Sequence, residues 1–202
     1  MGCFAVIVAA YLLGSSNMAY WLSLIKKVDI RSKGTGNLGA SNATVLLGWG
    51  AGVIVAVHDI GKAFFAVLLA KWLLPGAAYA GAAAGVACVL GHIFPFYLKF
   101  KGGKGLASFV GMLIGLDWRV ALVAAILLVV ITLVTDYIAL GTLTVAVVGP
   151  VGLWLTGQPW AAAILLVATV VIFFKHRDNI QRIRNKTEIG LLSTVKGENR
   201  VK

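Results

Sequence analysis

The sequence has little charge, and above all few acidic residues. Of its 202 residues only 12% are charged, with 7 Asp and Glu against 18 Lys and Arg, whereas an ordinary globular domain carries about 25% charged residues. Hydrophobic residues make up 60% of the chain, and the mean hydropathy is +0.93. So few polar side chains cannot cover a water-soluble core of this size. This excludes a soluble globular protein and indicates an integral membrane protein.

Cysteine is nearly absent as well. Cys3 and Cys88 both lie in apolar runs, with no Cys-x-x-Cys pair and no group of ligands nearby. This pattern argues against a disulfide framework and a zinc site, so we expect neither a metal nor a cofactor. Basic residues are also missing before the first apolar run, and Lys26 and Lys27 follow it. The run is therefore predicted to be a retained span with the N-terminus outside, not a cleaved signal peptide.

The net charge of +11 would suit a nucleic-acid-binding protein. The basic residues, however, stand in short blocks between apolar runs. This arrangement is typical of the positive-inside rule and of contact with anionic lipid headgroups. We therefore expect the lipid bilayer, and not nucleic acid, as the partner of these charges.

Seven apolar stretches can be separated along the chain. They cover residues 4–25, 45–70, 72–98, 105–116, 120–134, 137–155 and 160–174. The fourth and fifth are separated at Asp117 and Arg119, because this division places 15 basic residues on one side of the membrane and only Lys71 and Arg119 on the other. The prediction is an all-α polytopic membrane protein with seven transmembrane helices and a cytoplasmic C-terminus. We assign residues 1–190 to one membrane domain and 191–202 to a C-terminal cytoplasmic tail.

The first segment with polar chemistry follows the first span. Its glycines match the Gly-x-Gly-x-x-Gly dinucleotide fingerprint, but no apolar strand precedes them and an α/β domain has no room. Glycines nevertheless allow successive N–H groups to point into one concavity, which favours a phosphate site over a plain turn. The predicted phosphate-binding residues are Thr35, Gly36, Asn37, Gly39, Ser41 and Asn42.

A second segment carries Lys104 between two glycines, preceded by Gly102 and Gly103. It is not a Walker loop, because Leu98 stands where the first glycine is required. A lysine at a helix start is still suited to clamping a phosphate. The alternative, a plain interfacial lysine, fits Lys99 and Lys101 better.

A third segment, residues 175–182, is predicted to be a helix that leaves the membrane. His176, Asn179 and Arg182 then fall near one of its faces, and we expect them to act together. Inside the second span, Asp59 and Lys62 are three residues apart. We interpret them as a structural pair on the helix surface, with His58 bonded locally.

Five segments, residues 28–42, 59–62, 91–95, 100–105 and 176–182, together resemble the bacterial acyl-phosphate:glycerol-3-phosphate acyltransferases. The resemblance implies an enzyme of the bacterial inner membrane with seven helices. It would transfer a fatty acyl group from acyl phosphate to the 1-hydroxyl of glycerol 3-phosphate, giving lysophosphatidic acid for phospholipid synthesis. His176, Asn179 and Lys104 would be catalytic, while the glycine segment, Gly102, Gly103 and Arg182 would bind phosphate.

The chain also departs from this family. Val45 and Asp136 stand where the family usually carries arginine, whereas Thr142 keeps a hydroxyl and is assigned to substrate binding. Two other functions therefore remain open. One is a catalytically weakened or inactive relative that binds lipid or phosphate. The other is a small-anion transporter. A transporter would need polar residues near the middle of the membrane, and Asp59 and Lys62 are the only charged residues within the predicted spans.

Overall fold

The computed structural model describes residues 2–191, and these fold into two compact units that divide between Leu116 and Asp117. Within residues 2–191 the regular elements are ten α-helices and one short 3-10 helix. The all-helical class predicted from the composition is therefore confirmed. The predicted C-terminal tail lies, apart from Leu191, outside the described residues.

The first unit contains six of these α-helices. They are α1 (Gly2–Ser15), α2 (Met18–Ile25), α3 (Ala40–Leu47), α4 (Trp49–Leu73), α5 (Ala80–Ile93) and α6 (Leu106–Leu116), with the 3-10 helix Phe96–Leu98 after α5. The long helix α4 packs against α3, α5 and α6, and α1 packs along α5. The two polar segments of this unit end where α3 and α6 begin. Both of these helices contact α4.

Glycines allow the helices of this unit to approach closely. A Cβ atom on Gly111 would overlap the backbone of Ile60 on α4, and one on Gly85 would overlap Met112 on α6. A Cβ atom on Gly115 would press into Val67. The glycines at four-residue spacing are therefore helix-contact positions, as expected for helix packing in membranes.

Two predicted spans are interrupted where the sequence analysis had continuous helices. The first run breaks at Asn17, whose side chain caps α2 by accepting the N–H of Tyr20 at 2.9 Å. The second begins later than expected, because Gly48 has a φ of 93° and separates α3 from α4. The third starts at Ala80 and not at residue 72, since Trp72 still belongs to α4.

The second unit contains α7 (Trp118–Thr135), α8 (Ile138–Leu155), α9 (Pro159–Lys175) and α10 (Arg177–Arg184). Helix α8 packs against α7 and against α9. Asp117 caps α7 by accepting the N–H of Arg119 at 3.0 Å. Asp136 ends the same helix with a φ of 67°, a left-handed conformation that aspartate tolerates better than most residues.

Five spans within residues 2–191 are long and apolar enough to cross a membrane. They are Gly2–Ile25, Trp49–Leu73, Ala80–Leu98, Trp118–Thr135 and Ile138–Leu155. The pair α9 and α10, bent by 45°, makes a sixth if it is taken as one span, and α6 is a shorter apolar helix. A polytopic membrane protein is thus confirmed. The number seven and the orientation of the termini stay predictions.

Candidate functional site

The first predicted phosphate-binding segment contains a loop, residues 34–39, called the glycine loop below, whose first three residues are exposed. Gly34 and Gly36 have φ angles of 59° and 66°, which side chains adopt only with strain. The loop ends at Gly39, directly before the first residue of α3. Asp29 precedes the loop, and its carboxylate accepts the N–H of Arg31 at 3.0 Å. This hydrogen bond is the main reason that the pKa of Asp29 is lowered.

Asn42 holds the glycine loop in place. Its Oδ1 accepts the N–H of Thr35 at 3.0 Å, and its Nδ2 donates to the carbonyl oxygens of Ile30 at 3.0 Å and Lys33 at 3.4 Å. The side chain is buried, and a Cβ atom on Gly34 would overlap its Oδ1. The prediction that Asn42 donates to a ligand is therefore revised. Its amide is committed to the loop, so its role is to shape the loop.

The other predicted residues of this segment remain at its surface. Thr35 and Gly36 are exposed, Asn37 and Gly39 are half-buried, and Ser41 is exposed on the first turn of α3. The hydroxyl of Thr35 accepts the N–H of Asn37 at 3.4 Å. These groups are thus accessible, fully or in part, at the surface of the unit.

Lys104 lies in a second loop of the same unit, residues 102–105, called the lysine loop below. The N–H groups of Gly102 and Gly103 donate to the carbonyl oxygens of Ile93 and His92, both at 3.1 Å. Gly105 has a φ of 98°, and α6 begins one residue later. The amides of the two glycines are thus already bonded. The predicted role of these glycines in phosphate binding is revised to holding Lys104, which is half-buried at the start of α6.

In the second unit, His176 lies at the bend between α9 and α10. Its side chain is buried, and its Nδ1 lies 2.8 Å from the carbonyl oxygen of Ile172. The sequence predicts one helix that carries His176, Asn179 and Arg182 on a common face. This was wrong in one respect, because the two helices meet at 45° and His176 is the residue at which they meet.

Asn179 and Arg182 are joined through Glu188, a residue that the sequence pattern did not indicate as part of the site. Glu188 accepts a hydrogen bond from Nδ2 of Asn179 at 2.5 Å and another from Nε of Arg182 at 2.6 Å. The Glu188 side chain is 12% exposed. The sequence did contain a signal for this contact. Glu188 follows shortly after a helix that carries Asn179 and Arg182, and a carboxylate can accept hydrogen bonds from both side chains.

Thr142, also predicted to bind substrate, is buried on α8. Its hydroxyl donates to the carbonyl oxygen of Ile138 at 2.8 Å, one turn back in the same helix. Within the described residues 2–191 there is no group of three or more His, Cys, Asp or Glu side chains that could hold a metal ion.

An apolar groove runs along α8 and α9, with a volume of about 380 Å³. It is lined by Leu140, Leu143, Thr144, Val147, Val148 and Phe173. Its lining residues Leu140 and Leu143 stand on either side of the buried Thr142 in the sequence. Five of its six lining residues are apolar, so the groove is suited to a hydrocarbon chain and not to a charged group.

These features define a class: a polytopic all-helical membrane protein that presents loops suited to phosphate. Residues 4–186 match the family model described as glycerol-3-phosphate acyltransferase. The chain is 40% identical over 185 residues to the glycerol-3-phosphate acyltransferase of Rhodopseudomonas palustris strain BisB5, covering 91% of this chain and 93% of that one. It is 38% identical over 191 residues to that of Halalkalibacterium halodurans, covering 91% and 92%. The chain belongs to the glycerol-3-phosphate acyltransferase family.

Two solved structures support the assignment. The chain resembles the crystal structure of PlsY (YgiH), an integral membrane glycerol 3-phosphate acyltransferase, in its glycerol 3-phosphate form, with a TM-score of 0.91 and 31% identity. That match covers 96% of this chain and 98% of the other. The lysophosphatidic acid form of the same enzyme matches with a TM-score of 0.87. The predicted membrane acyltransferase of phospholipid synthesis is thus confirmed, and the comparisons lend no support to an inactive relative or a transporter.

Proposed function

We propose that the acyl donor is acyl phosphate and the acceptor the 1-hydroxyl of glycerol 3-phosphate. In this reaction the acceptor oxygen bonds to the acyl carbon, and the bond from that carbon to the phosphate oxygen breaks. Phosphate leaves with the electron pair, and the hydroxyl proton passes to His176 or to the departing phosphate. The products are 1-acyl-glycerol 3-phosphate, which is lysophosphatidic acid, and phosphate. Because the leaving group is already a stable anion, the enzyme must supply mainly positioning and compensation of charge.

The observation that carries this proposal is the position of Lys104. Its ammonium group is carried by a loop whose two preceding amides are bonded to the protein, directly before the N-terminus of α6. A helix N-terminus and a lysine both favour a phosphate anion. We assign phosphate binding to Lys104 together with the exposed groups of the glycine loop, Thr35, Asn37 and Ser41. Gly102, Gly103 and Asn42 shape these two loops.

In the second unit we assign the acceptor hydroxyl to His176 and Asn179. A carbonyl oxygen only accepts, so the Nδ1 of His176 carries the hydrogen that bonds to Ile172, and Nε2 is the basic nitrogen of the neutral ring. Glu188 fixes the amide of Asn179 and the guanidinium of Arg182. The acyl chain occupies the apolar groove of α8 and α9. This groove begins near Thr142, whose hydroxyl remains a proposed substrate contact.

We further propose seven spans in the bacterial inner membrane, with the N-terminus outside and the C-terminus in the cytoplasm. The support is the placement of 15 basic residues on one side, with α6 and the α9–α10 pair each counted as a span. Glycerol 3-phosphate then reaches the loops from the cytoplasm and the acyl donor reaches the groove from the lipid. Residues 1–190 form one membrane domain by this proposal, and residues 191–202 a cytoplasmic tail.

The test is an assay of the purified protein with acyl phosphate and glycerol 3-phosphate, in which phosphate release and lysophosphatidic acid are both measured. Lys104→Ala and His176→Ala are expected to abolish transfer without loss of folded protein. Lys101→Ala, which removes an exposed lysine just before the lysine loop, should keep full activity.

Full activity of either Lys104→Ala or His176→Ala would overturn the assignment of that residue. Equal turnover with an acyl-CoA donor would overturn the proposed donor. Absence of turnover with retained substrate binding would instead support the inactive relative. Uptake of an anion into vesicles would support the transporter.

A further inference from the structure

Lys62 is the centre of a buried ionic cluster in the first unit. Its Nζ lies 2.7 Å from the carbonyl oxygen of Ser16, 2.8 Å from Oδ1 of Asp59 and 3.1 Å from Nδ1 of His92. The side chains of Asp59, Lys62 and His92 are all at most 3% exposed. The expected pair on the surface of a helix is therefore buried, and it joins three segments of the chain. We call Asp59, Lys62 and His92 the ion cluster.

The ion cluster fixes the orientation of the His92 ring. The Nδ1 of His92 lies 3.1 Å from Nζ of Lys62 and 3.3 Å from Oδ1 of Asp59, so this side of the ring is turned toward the cluster. Nε2 faces the lysine loop, since a Cβ atom on Gly103 would overlap it. The carbonyl oxygen of His92 also accepts the N–H of Gly103 at 3.1 Å. Both the ring and the backbone of His92 therefore contact Gly103, which directly precedes Lys104.

The same cluster reaches the glycine loop through the break between α1 and α2. Lys62 donates to the carbonyl oxygen of Ser16, and the hydroxyl of Ser16 lies 3.2 Å from Nε2 of His58. The next residue, Asn17, donates through Nδ2 to the carbonyl oxygen of Leu38 in the glycine loop at 3.4 Å. The two loops, more than 60 residues apart in sequence, are thus connected through the hydrogen bonds of Ser16 and Asn17, which are neighbours in the chain.

A contribution to folding stability does not by itself explain why the ion cluster is buried. Removing two charges from water costs several kcal/mol for each ion, and well-packed apolar residues of similar volume often stabilise a protein as much or more. Membrane-buried ionic groups are costly for the same reason. A function other than stability accounts for the cluster better, and its bonds lead to the two loops assigned to phosphate.

We propose that Asp59, Lys62 and His92 are positioning residues that hold the lysine loop and the glycine loop in register for glycerol 3-phosphate. This rests on the proposed role of Lys104 and the glycine loop in phosphate binding. The cluster does not touch the substrate. It acts through Gly103 on one side and through Asn17 and Leu38 on the other.

The main test is the double variant Asp59→Asn with Lys62→Met. Loss of Lys62 alone leaves a buried carboxylate unpaired and destabilises the fold, whereas the double variant removes both charges and recovers most of the lost melting temperature. We expect the KM for glycerol 3-phosphate to rise about tenfold or more in the double variant, with a smaller change in kcat. Hydrogen exchange should become faster at the amides of Gly102 and Gly103 and in residues 34–39.

The matched control is Lys71→Met. Lys71 lies at the far end of the same helix and donates to the carbonyl oxygen of Gly115 at 2.7 Å, so the variant also removes a lysine bonded to a carbonyl. It should leave the KM and the exchange of both loops unchanged. His92→Ala keeps Asp59 and Lys62 together and provides a second test should the double variant not fold. It should raise the KM and speed exchange at Gly102 and Gly103.

The proposal is overturned by an unchanged KM in a folded double variant, whether or not exchange is faster. A raised KM with unchanged exchange in both loops overturns it as well, as does an equal effect of Lys71→Met. Failure of the proposed function is recognised separately, because Lys104→Ala would then keep full activity while the exchange measurement still reports on the cluster.

Discussion

The Nδ1 atom of His176 lies 2.8 Å from the carbonyl oxygen of Ile172, one turn back along α9. This contact fixes both the tautomer and the orientation of the ring at the 45° bend where α10 begins. It leaves the lone pair of the neutral imidazole on Nε2. The general-base role proposed for His176 requires a ring that is already oriented when it accepts the proton, and this hydrogen bond orients it.

We expect His176→Asn to separate the structural from the catalytic role of this residue. The asparagine amide keeps a donor near the position of Nδ1 and has no base in place of Nε2. The variant should therefore melt close to the parent protein while its kcat falls about a hundredfold. Steady-state kinetics and thermal unfolding in detergent measure the two effects. A kcat within twofold of the parent would show instead that the donor phosphate takes the proton.

Glu188 is predicted to support the site in the second unit through its bonds to Asn179 and Arg182. Glu188→Gln keeps the shape of the side chain but leaves only one acceptor oxygen for two donors. We expect a loss of about 1 kcal/mol of stability, since the Arg182 side chain is 41% exposed and solvent screens part of the charge. The kcat should fall as well, because the amide of Asn179 is no longer fixed.

Asp178→Asn is the control for this prediction. Asp178 forms an exposed ion pair with Arg177 at 3.5 Å on the same helix, and such pairs contribute little. Its loss should change neither the melting temperature nor kcat. Equal kinetics of Glu188→Gln and the parent would contradict a role for Glu188 in catalysis.

The sequence predicted the membrane class well because that class depends on composition. A chain with 60% hydrophobic residues has one stable environment, and its charge blocks mark the ends of the apolar runs. The interruptions at Asn17 and Gly48 were not predicted. Single Asn and Gly residues also occur inside helices, so the sequence does not show that Asn17 caps α2 through its side chain or that Gly48 adopts a φ of 93°.

The sequence predicts where the polar loops lie but not how they are connected. Glycine spacing marks the glycine loop, in which Gly34 and Gly36 adopt positive φ angles. The role of this loop in phosphate binding stays a prediction. The amide of Asn42 was assigned to a ligand, although its acceptor and donors are used by backbone groups 7 to 12 residues away. The contacts of Lys62 with Ser16 and His92 join residues 46 and 30 positions apart, and no local pattern reports such contacts.

Val45 offers a test of the arginine that the family resemblance implies at this position. Its side chain is 65% exposed on α3, three residues after Asn42, so a longer side chain fits there without repacking. We expect Val45→Arg to lower the KM for glycerol 3-phosphate about two- to fivefold at low salt, as is typical of an exposed charge pair. The gain should disappear at high ionic strength. Val45→Gln, which is similar in length and uncharged, should have no such effect; a higher KM in the arginine variant would contradict the prediction.

Asp117 predicts a pH dependence of stability in the second unit. Its carboxylate accepts hydrogen bonds from the side chain and the N–H of Arg119 and from Nε2 of Gln158 at 3.4 Å. The side-chain hydrogen bond of Arg119 is the largest cause that lowers the pKa of Asp117 from its ordinary value of 3.8. Because the folded-state pKa lies below the unfolded one, the stabilisation is complete well above pH 3.8 and is lost as the pH falls through the lowered pKa.

Asp117→Asn should therefore flatten this dependence. Asparagine still caps a helix well, so at neutral pH we expect a loss of only about 1 kcal/mol, mainly from the missing charge-assisted bonds to Arg119. As the pH is lowered below 3.8 and through the lowered pKa of Asp117, the parent protein should lose this advantage and the two melting temperatures should converge. Thermal unfolding in detergent between pH 7 and pH 3 measures the difference. Curves that stay parallel over this range would show that the carboxylate of Asp117 contributes no titrating stabilisation, and that the cap acts through its hydrogen-bond geometry alone.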